Sequence, residues 1–168
     1  MDKELYNKIL SSLQSACSKR EYCESEVLRK ARKMCECDNK AADEAAKKSS
    51  EESAEKILEE LKKDRFVDNL RYASAYAREK SSIAGWGKMK ISHMLSLKGI
   101  SKDIVNQALS EIDADKASSK LRNVIMTKYK SLASDPKCRE KLLRFALGRG
   151  YGWDEAKDLI DSVMSLKS

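Results

Sequence analysis

The length, composition and charge of this chain exclude some classes of protein. It has 168 residues, 36% of them charged, and a formal net charge of +7. It has no apolar run near the roughly 20 residues that cross a bilayer, and its charged first residues lack the apolar core of a secretory signal. We therefore expect a cytoplasmic monomer that binds no membrane.

The five cysteines could serve a disulfide framework or a metal site. An odd number, with two in the pattern Cys35-x-Cys37, makes a poor disulfide framework. Zinc could in principle be held by the thiolates of Cys17, Cys23, Cys35 and Cys37. However, neither pair has the gap of roughly two to four residues that is usual in structural zinc sites. We expect reduced thiols, with no metal and no cofactor.

Apolar residues at helical spacing predict an all-α protein, because there is one proline, six glycines and no alternating strand pattern. Leu5, Ile9 and Leu13 mark the first helix, and a second follows Cys23. The segment near residues 35–48 has few large apolar side chains, so we expect an insertion there that is a loop or a frayed helical extension. The third helix is predicted to open at a capping box that consists of Ser49 and Glu52.

Two further groups of three helices follow. In the first, Asp68 is placed to cap a helix, the next helix ends at Gly99, and Ser101 is placed to cap the last. In the second, a long helix begins after Lys116. The sequence then predicts a helix that starts with Asp135 as its cap and Pro136 at its first position. This helix is expected to end at Gly148 and Gly150. A final amphipathic helix follows it.

A shift of 51 residues places the second group on the third. The matched pairs are Leu70 with Leu121, Arg71 with Arg122, Lys90 with Lys141, Lys98 with Arg149, Gly99 with Gly150 and Asp103 with Asp154. The chain is therefore predicted to hold three tandem three-helix repeats, at residues 1–63 with the insertion near 35–48, at residues 64–115 and at residues 116–168. Such repeats stack on their neighbours, which predicts an elongated, curved array.

Positive charge is concentrated in the second and third repeats. Residues 71–102 carry seven cations against one carboxylate, and residues 116–149 carry ten against two. Lys137, Lys141 and Arg144 share one helix face through their i, i+4, i+7 spacing. A single lysine of this kind is usually just solvated, but the recurrence in two repeats predicts an anionic partner, either a phosphate backbone or an acidic protein groove.

Catalytic motifs are missing from the sequence. His93 is the single histidine, and we find no phosphate loop, no nucleophile motif and no paired acids with an orienting partner. We expect no enzyme.

Several motifs resemble those of a known family. The run RFVDNLRYA at residues 65–73, Trp86-Gly87-Lys88 and Leu95-x-x-Lys98-Gly99-Ile100 look like the signature of the RecX family of recombination regulators. The segment FALGRGY at residues 145–151 resembles the closing turn of that family, and residues 18–29 resemble its opening repeat. The resemblance spans nearly the whole chain.

The resemblance implies a non-enzymatic negative modulator of the RecA recombinase, acting in recombination, DNA repair and the SOS response. Such a protein binds the RecA filament on single-stranded DNA and inhibits ATP hydrolysis and strand exchange. We expect filament or DNA-phosphate contact from ten cations that share a register in the two basic repeats: Arg71, Arg78, Lys88, Lys90, Lys98, Arg122, Lys137, Lys141, Arg144 and Arg149. A stand-alone basic helical DNA-binding protein and a structural helical scaffold without a nucleic-acid role are the alternatives.

Overall fold

The computed structural model describes residues 2–37 and 44–165, and in these ranges the regular structure is entirely helical. The helices found there are α1 (Lys3–Lys19), α2 (Glu24–Cys37), α3 (Glu44–Lys63), α4 (Asn69–Ser82), α5 (Lys88–Leu97), α6 (Lys102–Ser110), α7 (Ala114–Leu132), α8 (Cys138–Gly148) and α9 (Trp153–Ser165). The predicted all-α class and the helical repeats are confirmed.

The chain divides into two compact units. Unit 1 comprises the residues up to Ala73 together with Lys98–Ile100, and unit 2 comprises Ser74–Leu97 and the residues from Ser101 onward. In unit 1, α1, α2 and α3 pack against each other. They enclose a core of fully buried aliphatic side chains and buried thiols: Ile9, Leu13, Cys17, Val27, Ala31, Cys35, Ile57 and Leu61.

Unit 2 has its largest core where α7, α8 and α9 meet. Leu121 and Ile125 of α7 pack with Leu142 of α8 and with Ile160 and Val163 of α9, and all five are buried. Earlier in the unit, α5 packs on α6. Helices α7 and α9 are amphipathic, so their apolar stripes are buried against neighbouring helices while the opposite faces carry charged residues.

Helix caps confirm part of the sequence analysis. The Asp68 carboxylate accepts hydrogen bonds from the backbone N–H groups of Leu70 and Arg71, at 2.8 and 3.0 Å, as a helix N-cap should. Gly99 and Gly150 have φ angles of +76° and +84°, the left-handed conformation in which glycine commonly ends a helix. Both turns were predicted from the sequence.

Two predicted helix starts are wrong. Helix α3 begins at Glu44, so Ser49 lies inside it, and the carbonyl of Ser49 accepts a hydrogen bond from the Ser53 hydroxyl at 2.8 Å. Alanine and lysine around residues 45–48 favour helix strongly enough to start it earlier. The predicted insertion near residues 35–48 includes residues 38–43, which lie outside the described residues.

The second wrong start is that of α8. This helix begins at Cys138, not at Pro136. The Asp135 carboxylate accepts the Lys137 N–H at 2.8 Å, and the Cys138 N–H bonds to the Asp135 carbonyl at 2.9 Å. These bonds make a separate turn that contains Pro136. The predicted cap therefore stabilises a turn that precedes the helix, and the helix starts two residues later.

Candidate functional site

The ten cations predicted to contact a partner fall into two groups in the structure. Five of them make contacts within the folded chain: Arg71, Lys90, Lys98, Lys141 and Arg149. The other five are exposed and make no side-chain hydrogen bond or ion pair with any described residue: Arg78, Lys88, Arg122, Lys137 and Arg144. The first group contributes contacts to the fold, whereas the second group has no internal contact to lose when it binds an anion.

Arg71 joins two segments of unit 1. Its Nε lies 2.7 Å from a Glu21 carboxylate oxygen, and its Nη2 donates to the carbonyls of Arg65 and Phe66 at 3.1 and 3.3 Å. The hydrogen bond to Glu21 raises the pKa of Arg71. All these partners belong to the chain itself, so the guanidinium is already engaged.

Lys98 is also held within unit 1. Its ammonium lies 2.5 Å from the Glu26 carboxylate and 5.7 Å from the centre of the Tyr72 ring. Burial opposes the charge, but the hydrogen bonds with Glu26 and Tyr72 outweigh it and raise the pKa of Lys98. The Ser25 hydroxyl donates to the Lys98 carbonyl at 2.6 Å. The turn that contains Lys98 is thus attached to the first residues of α2.

Arg149 likewise joins two segments of unit 2. Its Nη1 donates to the carbonyls of Ala84 and Gly85, at 2.6 and 3.3 Å, just beyond the end of α4. Its guanidinium carbon lies 4.8 Å from the centre of the Phe145 ring. A planar guanidinium suits this combination of two carbonyls and one aromatic face.

The turn that follows Arg149 lies directly against the start of α5. The backbone N–H of Gly87 donates to the Arg149 carbonyl at 2.8 Å, and that of Met89 donates to the Gly150 carbonyl at 3.2 Å. A Cβ atom on Gly87 would lie 2.2 Å from the Gly150 carbonyl oxygen, and one on Gly150 would lie 2.4 Å from Lys90. Glycine is required on both sides of this contact.

Lys90 and Lys141 take part in weaker contacts. The Lys90 ammonium lies 4.5 Å from the centre of the Trp86 ring and 3.4 Å from the Gly148 carbonyl. Lys141 forms an ion pair with Asp135, and half of its side chain is exposed. Surface pairs of this kind stabilise a protein by less than about 1 kcal/mol, so either lysine could exchange its partner for an external anion.

An exposed apolar stripe on α5 was missed in the sequence. Met89 and Leu97 are 67% and 68% exposed, and exposed His93 lies between them at i+4 spacing. The sequence did not reveal this exposure, because a helix with apolar residues on several faces cannot be oriented from periodicity alone. The stripe adds apolar surface beside the exposed cation Lys88.

Two structural features are absent from the described residues. No helix there combines the length and the apolar character needed to cross a membrane. No group of three histidine, cysteine or carboxylate side chains is placed to hold a metal ion within residues 2–37 and 44–165. Cys17, Cys23, Cys35 and Cys138 are buried free thiols.

Comparisons with known proteins point to one family. A model of the second three-helix domain of RecX matches residues 68–109. The regulatory protein RecX of Clostridium acetobutylicum is 34% identical over 117 residues, which cover 66% of this chain and 54% of that protein. The RecX of Clostridium tetani is 30% identical over 114 residues, with coverage of 66% and 52%. The chain thus spans about half the length of these relatives.

Two solved structures share the fold. A crystal structure of regulatory protein RecX has a TM-score of 0.75 and 18% sequence identity, with 94% of this chain and 72% of the other covered. The crystal structure of RecX from Lactobacillus salivarius has a TM-score of 0.73 and 18% identity, with coverage of 96% and 98%. The helical repeats of this chain therefore have the RecX fold.

Proposed function

The chain belongs to the RecX family, and we propose that it is a negative modulator of a RecA recombinase. It acts in the cytoplasm, where it binds the RecA filament on single-stranded DNA and inhibits ATP hydrolysis and strand exchange. Its role is the regulation of recombination, DNA repair and the SOS response.

The observation that supports this proposal most strongly is the position of the free cations. Arg78, Lys88, Arg122, Lys137 and Arg144 all belong to unit 2 and are all exposed. A cation without an internal partner loses no ion pair when it meets a phosphate or a carboxylate, so its charge is available for binding. We assign the main filament contacts to these five residues, with Lys90 and Lys141 as secondary contacts.

Inhibition follows if the chain binds one state of the filament in preference to the others. A ligand shifts an equilibrium between two states of the filament only by its difference in affinity between them. Several cations on one unit can bridge groups of neighbouring subunits and of the DNA strand, and so oppose their relative movement.

A filament-binding assay with matched charge reversals tests the proposal. The triple variant R78E/K88E/R144E should lose most of its co-sedimentation with RecA filaments on single-stranded DNA. The control K8E/K33E/K56E makes the same change of charge at exposed lysines of unit 1 and should still sediment with the filament. Equal loss in the two variants would mean that only the net charge matters, and no binding by the wild type would refute the proposal.

A further inference from the structure

We propose that a groove between α7 and α8 binds a single strand of nucleic acid directly, without a recombinase. The groove has a volume of about 410 Å³ and lies entirely within unit 2. Its cations are Lys120, Lys128 and Arg149. The inference deepens the proposed function and rests on it in one respect, because it names the part of the molecule that would touch the DNA strand of the filament.

One face of α7 forms the length of the groove. Lys120, Asn123, Thr127 and Ser131 follow each other at i, i+3, i+7 and i+11, and all line the groove, as does Lys128. At a rise of about 1.5 Å per residue this face is roughly 16 Å long. A stacked strand advances by about 3.4 Å per nucleotide, so this face is as long as a stretch of roughly five nucleotides.

The charge of the groove is not balanced by the chain. No carboxylate lines it, and the sequence has none between Asp115 and Asp135. On the opposite side of α8, by contrast, Arg139 lies 2.8 Å from the Asp161 carboxylate. Three cations that share a concave surface without a counter-charge raise the local potential, which attracts an anionic ligand.

Arg149 is fixed in place at the edge of the groove. Its bonds to the carbonyls of Ala84 and Gly85 hold the guanidinium, and its buried Nε has no hydrogen-bond partner among the described residues. Lys128 lies 5.7 Å from the centre of the Phe145 ring, to which Arg149 is also close. The positive groups therefore lie beside an aromatic side chain, the combination that binds single strands by phosphate pairing and base contact.

The polar side chains of α7 offer hydrogen-bond acceptors to a bound strand. The Thr127 hydroxyl donates to the Asn123 carbonyl at 2.9 Å, and the Ser131 hydroxyl donates to the Lys128 carbonyl at 2.7 Å. With their protons used inside the helix, these oxygens can only accept. The N–H groups of nucleobases can donate to these oxygens while the negative phosphates meet the cations of the groove.

Fluorescence anisotropy with a fluorescein-labelled 12-nucleotide oligothymidylate tests the inference without RecA. The wild type should bind the oligonucleotide, and K120A/K128A should bind it about tenfold more weakly at low salt. Each phosphate contact on a single strand adds roughly 0.7 to the slope of log affinity against log salt. The slope of the double variant should therefore be lower by about 1.4.

The control K102A/K130A removes two exposed lysines of unit 2 that lie outside the groove, and it should bind almost as the wild type does. Both variants should melt at the wild-type temperature. An equal loss in the two variants would overturn the inference, as would a failure of the wild type to bind, or displacement of the oligonucleotide by an equal charge of oligoglutamate.

Measuring both oligonucleotide binding and RecA inhibition with the same wild-type and variant proteins distinguishes this inference from the proposed function. If the wild type binds the oligonucleotide through Lys120 and Lys128 but leaves RecA activity unchanged, the groove is a nucleic-acid site and the regulatory proposal fails. If the wild type inhibits RecA but shows no affinity for the free oligonucleotide, the regulatory proposal stands and the groove assignment is wrong.

Discussion

Arg149 is a basic side chain whose main partners are carbonyl groups of its own chain. It bonds to Ala84 and Gly85 beyond the end of α4 and lies over the Phe145 ring. Carbonyls at the end of a helix have no partner within the helix, and a cation there also interacts favourably with the helix dipole. This residue therefore stabilises unit 2 and at the same time supplies a positive edge to the groove between α7 and α8.

Replacement of Arg149 should lower stability. Hydrogen bonds to charged groups contribute about 1.5 to 3 kcal/mol, so R149A should reduce the free energy of unfolding by about 1 to 3 kcal/mol. The chain has two tryptophans, Trp86 and Trp153, and both belong to unit 2, so their fluorescence during urea unfolding reports on this unit.

The matched control is R144A, which removes an exposed arginine of α8 that has no partner among the described residues. Its effect should stay within about 0.5 kcal/mol. If the two variants were equally stable, the contacts of Arg149 with Ala84 and Gly85 would contribute nothing to the fold.

Asp161 makes the stability of unit 2 depend on pH. The Arg139 guanidinium donates to both of its carboxylate oxygens, at 2.8 and 3.1 Å, and this lowers the pKa of Asp161 in the folded protein. An aspartate in an unfolded chain titrates near pH 3.9. The stabilising effect is therefore complete above that value and is lost as the pH falls through the lower pKa of the folded state.

The variant D161N should consequently lose less stability than the wild type when the pH is lowered from 6 to 2, as measured by urea unfolding at each pH. R139Q should flatten the acid dependence less than D161N does, because Lys157 still lies 3.8 Å from the Asp161 carboxylate. An unchanged acid dependence in D161N would show that the pair with Arg139 does not form in solution.

At the scale of secondary structure, the same contact occurs twice along the chain. The turn after α5, with Lys98 and Gly99, lies against the first residues of α2 in unit 1. The turn after α8, with Arg149 and Gly150, lies against the first residues of α5 in unit 2. In both cases the turn that follows one helix attaches to the start of the helix three places earlier in the chain, so α5 is followed by a turn on α2 and α8 by a turn on α5.

The two glycines of these turns should respond differently to substitution. A Cβ atom on Gly99 would meet nothing within 4 Å, so G99A should cost only the penalty of the left-handed conformation, about 1 to 2 kcal/mol. G150A should cost about 2 to 5 kcal/mol, because its Cβ would also collide with the backbone of Lys90. Urea unfolding followed by circular dichroism measures both, and equal losses would contradict the close contact at Gly150.

Helix positions could be predicted from the sequence wherever local chemistry decides them. The Asp68 cap and the glycine turns at Gly99 and Gly150 depend on one or two residues and their backbone, and they were predicted. Ser49 and Pro136 were assigned to helix starts that the structure does not have. In each case the motif was compatible with a cap, but helix propensity upstream or a preceding turn decided where the helix begins.

At the scale of the whole molecule, the sequence predicted which repeats are basic but not which cations are free. Register alone cannot distinguish Arg71 from Arg122, a pair related by the shift of 51 residues. Arg71 meets Glu21, 50 residues away in the sequence, while Arg122 is exposed and unpaired among the described residues. Pairing over such sequence distances depends on the three-dimensional fold, as do the exposed stripe on α5 and the groove between α7 and α8.

The most direct test of the regulatory function is ATP hydrolysis by RecA on single-stranded DNA with this protein titrated in. We predict that the rate falls severalfold by the time the protein equals RecA in concentration. We also predict that R78E/K88E/R144E inhibits far less than the control K8E/K33E/K56E does. An unchanged rate at equal concentrations of wild-type protein and RecA would contradict the proposed regulatory function.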